Sequence, residues 1–161
     1  MKKVEIYTDG ACSGNPGAGG WGVILVYNGY KKELSGYIGN TTNNRMEIFS
    51  IIQGLAQLKE PCEVTVYSDS AYAVNAFNEG WLETWQKNDW KNAQKEPVKN
   101  RDLWNDLLLR VARHDVRFVK VKGHADNEFN NRCDELARAA IKNGEAGELL
   151  NRAPDAYNIG K

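Results

Sequence analysis

Two segments of the chain end on the same chemistry: Ile6-Tyr7-Thr8-Asp9 and Val66-Tyr67-Ser68-Asp69. In each, an aspartate closes an apolar, strand-like run and is followed at once by Gly or Ser. If the two strands are parallel neighbours, both acids stand at one end of a sheet, where ligand sites of α/β sheets usually form. Carboxylates held close repel unless a cation lies between them. Hard oxygen donors of this kind suit Mg²⁺, which takes a few carboxylates and keeps waters and phosphate oxygens as its other ligands. A strand-ending Asp also often does no more than hydrogen-bond a turn. For either residue alone the turn is the better reading; the matched pair favours the metal.

Other residues join this set with less force. Glu47 lies at the start of a helical pattern, and Asn44 and Glu47 stand as N-cap and N3 of a capping-box-like start. Capping and metal binding are equal readings there. Asp134 lies one step from the stripe Cys133–Leu136–Ala137 and so near the buried edge of its helix, while Glu135 points more to solvent. His124 follows Val121-Lys122-Gly123 in a loop after a strand, where a plain surface histidine is as good a reading as a functional one; His114 has only that plain reading. Gly17-Ala18-Gly19-Gly20-Trp21-Gly22 matches G-x-G-x-x-G but opens a strand. A dinucleotide site needs that motif to leave a strand and open a helix, so such a site is rejected.

Positioning these residues requires the following elements. Strands are expected over 3–9, 21–27 and 31–39, with 10–20 as a turn-rich stretch and Asn28-Gly29 as a hairpin turn. Ile48, Ile51, Ile52 and Leu55 share one helical face, giving a helix over 44–58. A strand at 63–69, helices over 70–79 and 101–113 and a fifth strand at 115–121 follow. The last helix carries Phe129, Cys133, Leu136, Ala137 and Ala140 on one face and fades at Asn143-Gly144. The expected fold is α/β: a mixed five-stranded sheet, three antiparallel strands then parallel strands, flanked by helices. Residues 1–144 are expected as one domain and 145–161 as a flexible C-terminal tail.

Composition sets outer bounds. The 161 residues carry 42% hydrophobic and 26% charged side chains, which is enough for one core without staples. Lys+Arg and Asp+Glu balance at 21 each, so any contact with nucleic acid must come from local clustering of charge. Cys12, Cys62 and Cys133 form no C-x-x-C pair, which points away from a disulfide framework or thiolate zinc site. Without a signal-peptide pattern or a membrane-length apolar run, the expectation is a cytoplasmic monomer with no membrane partner.

Five ordered motifs carry a resemblance. Tyr7-Thr8-Asp9-Gly10-Ala11-Cys12-Ser13-Gly14-Asn15-Pro16-Gly17 resembles the first-strand signature of type 1 ribonucleases H, the family of bacterial ribonuclease HI. Thr42-Asn43-Asn44-Arg45-Met46-Glu47 is similar to its helix-start motif and Ser68-Asp69-Ser70 to its third motif. Val121-Lys122-Gly123-His124 and Arg132-Cys133-Asp134-Glu135-Leu136-Ala137 match the last two. The likeness runs in order from about residue 3 to 142 with the same spacing between motifs.

The resemblance implies a ribonuclease H-like fold and an endoribonuclease that hydrolyses the RNA strand of RNA–DNA hybrids, leaving 5′-phosphate and 3′-hydroxyl ends. It implies that Asp9, Glu47, Asp69 and Asp134 hold two Mg²⁺ ions, with Mn²⁺ as a substitute left open, and that His124 assists proton transfer or product release. Asn15, Asn43 and Asn44 would contact 2′-hydroxyls and base edges, and Thr42 and Asn100 a DNA-strand phosphate. The stretch Trp81 to Arg101 corresponds to a basic protrusion, with Trp81, Lys87, Lys91 and Lys99 as binding residues. Three departures from the bacterial pattern imply weaker affinity with intact chemistry. Glu83, Asp89 and Glu96 dilute the protrusion, Ala71 stands where relatives often have glutamine, and Asn40 replaces a frequent arginine. The competing readings are a DNA-acting nuclease of the same fold and a non-catalytic hybrid-binding module.

Overall fold

A computed structural model describes residues 1–122 and 127–151 of the chain. Five strands, β1 (Lys2–Gly14), β2 (Gly17–Tyr27), β3 (Tyr30–Thr41), β4 (Cys62–Ser68) and β5 (Asp115–Lys120), form one sheet in the order β3-β2-β1-β4-β5. β1–β2 and β2–β3 pair antiparallel; β1–β4 and β4–β5 pair parallel. The helices are α1 (Asn43–Ala56), α2 (Ala71–Asn78), α3 (Trp81–Lys87), α4 (Arg101–Val111) and α5 (Glu128–Asn151).

Alternation along the central strand builds two layers. Val4 and Ile6 of β1, with Val23 and Leu25 of β2, are buried in one cluster with Ile48, Ile51, Ile52 and Leu55 of α1 and with Trp104 and Leu107 of α4. The intervening Tyr7 and Ile24 are buried with Cys133 of α5 on the other face. Period-two strands thus feed a helix on each side of the sheet.

The first three strands are longer than expected. β1 and β2 stay in register from Glu5↔Val26 to Gly14↔Gly17, so residues 10–14 belong to the ladder and the reversal shrinks to Asn15-Pro16, joined by a cis peptide bond. The G-x-G-x-x-G stretch finds its use here. A Cβ on Gly20 or Gly22 would strike the carbonyl oxygens of Ala137 or Cys133, so these glycines let α5 lie directly on β2.

Two helix boundaries also move. The N-cap of α1 is Thr42, whose hydroxyl accepts from Arg45 N at 3.3 Å, not Asn44. Threonine two residues earlier competes well for the same orphan amides. With that register Glu47 leaves the capping position and enters the second turn. α5 does not fade at Asn143-Gly144 but continues to Asn151, since Gly144 rests on the ring of Tyr37 and packing offsets its poor helix propensity. Residues 145–151 of the expected tail are therefore helical. His124 and residues 152–161 lie outside the described residues.

Candidate active site

The parallel pairing of β1 with β4 ends at Tyr7↔Tyr67, and Asp9 and Asp69 each lie two residues further on. The matched strand endings thus bring both acids to the same end of the sheet. Asp9 is the more buried, at 6% exposure; Asp69 follows buried Ser68 and is half-buried. Ser68 Oγ accepts from Ser70 N at 3.0 Å and Ser70 Oγ from Ala73 N at 3.1 Å, so two serines shape the turn on either side of Asp69 and start α2.

Glu47 reaches the pair from α1. It is 4% exposed, and the Gly10 amide donates to its Oε1 as well as to Asp9 Oδ1 at 3.0 Å. A Cβ at Gly10 would come within 2.5 Å of Met46 C and 2.6 Å of Glu47 N. Glycine after Asp9 is thus what lets α1 lie against the strand and deliver its glutamate. Asp9, Glu47 and Asp69 offer carboxylate oxygens that all lie within 4.8 Å of one another.

The electrostatics follow from burial. Asp9 is pushed up to about 8, first by desolvation and then by the charge of Asp69, with Asp134 adding to the rise. Glu47 is held well above the usual carboxylate range by desolvation and by the charges of Asp9 and Asp69. A cluster that resists full ionisation by itself is one that a cation stabilises. The donor set is all carboxylate oxygen, within the reach of one ion, which fits a hard divalent cation. Asp134 approaches from α5, pairs with Arg138, and lies close enough to act on Asp9.

Sequence reasoning passed over one residue in this region. Asn130 is 7% exposed, and its Nδ2 donates to Thr8 O and Tyr67 O, tying together the ends of β1 and β4 immediately before the two acids. Its Oδ1 is buried with no hydrogen-bond partner among the described residues. The available signal was an asparagine four residues before Asp134, beside the apolar stripe. Asn127, whose Oδ1 accepts from Phe129 N and Asn130 N at 3.0 and 3.2 Å, begins that helix.

Other expected contact residues gather nearby on the chain's turns. Asn15 Oδ1 accepts from Asn43 N at 3.1 Å, which joins the β1–β2 turn to the start of α1 beside Thr42 and exposed Asn44. Arg45 of the same helix reaches Asn100 Oδ1 at 3.3 Å and forks onto Asp102 at 2.7 and 3.0 Å. Asn100 sits at φ 65° and donates to Tyr72 Oη at 3.2 Å.

The stretch from Trp81 to Arg101 forms a separate handle. Trp81, Trp85 and Trp104 follow one another at 6.2 and 6.1 Å, so Trp85 ties α3 to the core while Trp81 stays 37% exposed. Arg101 lies 5.4 Å from the centre of the Trp90 ring. Lys87, Lys91 and Lys99 are exposed, and Lys87 pairs with Glu83 at 3.1 Å.

A family model described as RNase H matches residues 1–142. The Ribonuclease H of Chlorobium phaeobacteroides (strain BS1) is 64% identical over 143 residues, covering 89% of this chain and 98% of its own. That of Thermoanaerobacter sp. (strain X514) is 63% identical over 139 residues, covering 86% and 90%. Among solved structures, LC9-RNase H1, a type 1 RNase H with the type 2 active-site motif, is similar at TM-score 0.79 and 28% identity, covering 89% of this chain and 74% of that one. LC11-RNase H1, solved in complex with RNA/DNA hybrid, is similar at TM-score 0.65 and 30% identity, covering 88% and 98%.

Proposed function

Since the chain belongs to the ribonuclease H family, we propose that it is a divalent-metal-dependent endoribonuclease acting on the RNA strand of RNA–DNA hybrids. The observation that carries this reading is the cluster of Asp9, Glu47 and Asp69, with oxygens within 4.8 Å of one another at the end of two parallel strands. It agrees with the hybrid bound to the similar LC11-RNase H1.

Asp9, Glu47, Asp69 and Asp134 would hold two Mg²⁺ ions, and Mn²⁺ can substitute in the same oxygen set. When bound, the ions supply an activated water for in-line attack on the scissile phosphate and stabilise the leaving 3′-oxygen, leaving 5′-phosphate and 3′-hydroxyl ends. The chain's own groups do the positioning. The Gly10 amide orients Glu47, and Asn130 fixes the strand ends that carry Asp9 and Asp69. Asn15, Asn43 and Asn44 offer amides to 2′-hydroxyls and base edges, which is how RNA is told from DNA. Thr42 and Asn100 take a DNA-strand phosphate, while Trp81, Lys87, Lys91 and Lys99 engage the duplex backbone. His124 carries a proton to or from the reacting region. The catalytic domain runs through the end of α5 and acts as a monomer in the cytoplasm. No helix among the described residues is long and apolar enough to cross a membrane.

The test is cleavage of an end-labelled RNA–DNA hybrid with Mg²⁺, beside EDTA and Asp9→Asn controls. Cuts confined to the RNA strand and lost in both controls are expected. A folded protein that binds the hybrid without cutting it would make the chain a binding module instead, and cutting of duplex DNA would make it a DNA nuclease.

A further inference from the structure

Three of the four carboxylates form a closed set, and the fourth already has a cation beside it. Asp9, Glu47 and Asp69 lie within reach of a single ion, and Asp134 is not in that group. Arg138, one helical turn beyond Asp134, donates from Nη2 to its Oδ2. The two ends of this pair differ in surroundings: the Asp134 side chain is 13% exposed and the Arg138 side chain 67%. A solvent-reaching guanidinium therefore covers an acid whose helix neighbours Cys133 and Asn130 bond to Tyr7 O and Thr8 O, which sets it beside the end of β1 that carries Asp9. An acid four residues before a base is also the favourable order for a plain helix-surface pair. The burial of Asp134 and its closeness to Asp9 are what separate this pair from that bland role.

We propose that Arg138 is a positioning residue that holds Asp134 as an internal counter-ion at the edge of the cluster and yields the carboxylate when a divalent cation binds. The inference rests on the metal-site reading above. Before loading, Arg138 offsets the charge of an acid that adds to the repulsion around Asp9. During loading, it competes with the incoming cation for the same oxygen. The guanidinium suits this task because its long stem reaches Asp134 from solvent and its charge does not titrate. Arg138 and Lys142 both line a surface recess with Ala11, Cys12 and Ser13, so the neighbouring lysine provides a matched control for charge alone.

The experiment is calorimetric titration of the metal-free full chain with Mn²⁺, using the wild type, Arg138→Gln, Arg138→Lys and Lys142→Gln. Melting curves in EDTA establish that each variant is folded. Removing a unit charge several ångströms from a divalent ion in water-like surroundings should tighten binding about five-fold. R138Q is therefore expected to bind Mn²⁺ about five-fold tighter, R138K to stay near wild type, and K142Q to change by less than about two-fold, its charge being further off and screened. Unchanged or weaker binding by R138Q overturns the proposal, as does an equal gain in K142Q, which would reveal a general field. A wild type that binds no Mn²⁺ at all overturns the metal-site reading itself, and this inference with it.

Discussion

Asn130 Nδ2 lies 3.2 Å from the carbonyl oxygen of Thr8, the residue before Asp9, and 3.4 Å from that of Tyr67, two residues before Asp69. One amide group from α5 thus bridges two parallel strands at the place where they deliver their acids. Truncation strips a donor from Thr8 O and from Tyr67 O, the latter keeping the Thr8 hydroxyl at 3.4 Å, so Asn130→Ala should cost about 1–3 kcal/mol in denaturant unfolding. Asn130→Asp should be worse above neutral pH, because an ionised carboxylate can only accept and would face two carbonyl oxygens. As pH falls the carboxyl takes up a proton and regains a donor, so the gap between the two variants should narrow. Equal stability of both variants at every pH would mean that the amide does not bridge the strands.

The buried acids make the metal-free fold sensitive to pH. Asp9 is raised to about 8 in the fold from an ordinary value of 3.8, with desolvation as the main cause and the Asp69 charge next. Between those values the folded chain holds a proton that the unfolded chain has lost. This contribution to stability is therefore complete below the unfolded value and is lost as pH rises through the folded one. Glu47 acts in the same direction. In EDTA, the melting temperature is expected to fall from pH 5 to pH 8 more steeply for the wild type than for Asp9→Asn, with Mg²⁺ flattening the wild-type slope. Parallel slopes for wild type and D9N in EDTA would remove Asp9 as the source.

The architecture and the Asp9–Asp69 pair are legible because they rest on local signals, whereas Glu47 joins the pair only through the resemblance. The strand–helix–strand order announces a parallel strand, the twin endings then set both acids at one end, and the face of Ile48, Ile51, Ile52 and Leu55 announces α1. What was misread depends on contacts distant in sequence. The glycines of 10–20 look like turn formers until α1 and α5 are known to press on those strands. Asn44 looks as good a cap as Thr42, and placing the cap there leaves capping and metal binding as equal readings of Glu47. Asn130 has only its place beside the apolar stripe as a local signal, because its partners are 122 and 63 residues away.

A second titration lies at the other end of the sheet, where His114 Nδ1 accepts from Cys62 N at the start of β4 at 3.0 Å. Burial, helped by the charge of Arg113, lowers this histidine from its ordinary 6.5. Only the neutral ring can accept that hydrogen bond. The contribution is therefore present above the unfolded value and lost as pH falls through the folded one. Wild type should be more stable than His114→Ala at pH 7.5, and the difference should shrink by pH 5, with or without Mg²⁺. A difference that grows on acidification would mean that the ring acts as a cation instead.

Glu83 provides the sharpest test of the handle, because it changes binding without touching the carboxylates. Its carboxylate holds Lys87 Nζ at 3.1 Å with both side chains more than 70% exposed, so the pair adds little to stability but cancels a charge on the surface proposed to meet the duplex. Freeing that lysine for a phosphate should add about one released counterion, steepening the fall of log K with log salt by about 0.9 on a duplex. Glu83→Gln is thus expected to tighten hybrid binding about two- to three-fold at low salt, with the gain vanishing as ionic strength rises. Lys91→Ala or Lys99→Ala should do the reverse and make the slope shallower. The turnover rate of bound substrate should stay constant in all three, since none of these residues reaches the acids in the chemistry proposed. If E83Q binds as the wild type does at every salt concentration, Lys87 does not contact the backbone and the handle engages the duplex through its other cations or Trp81.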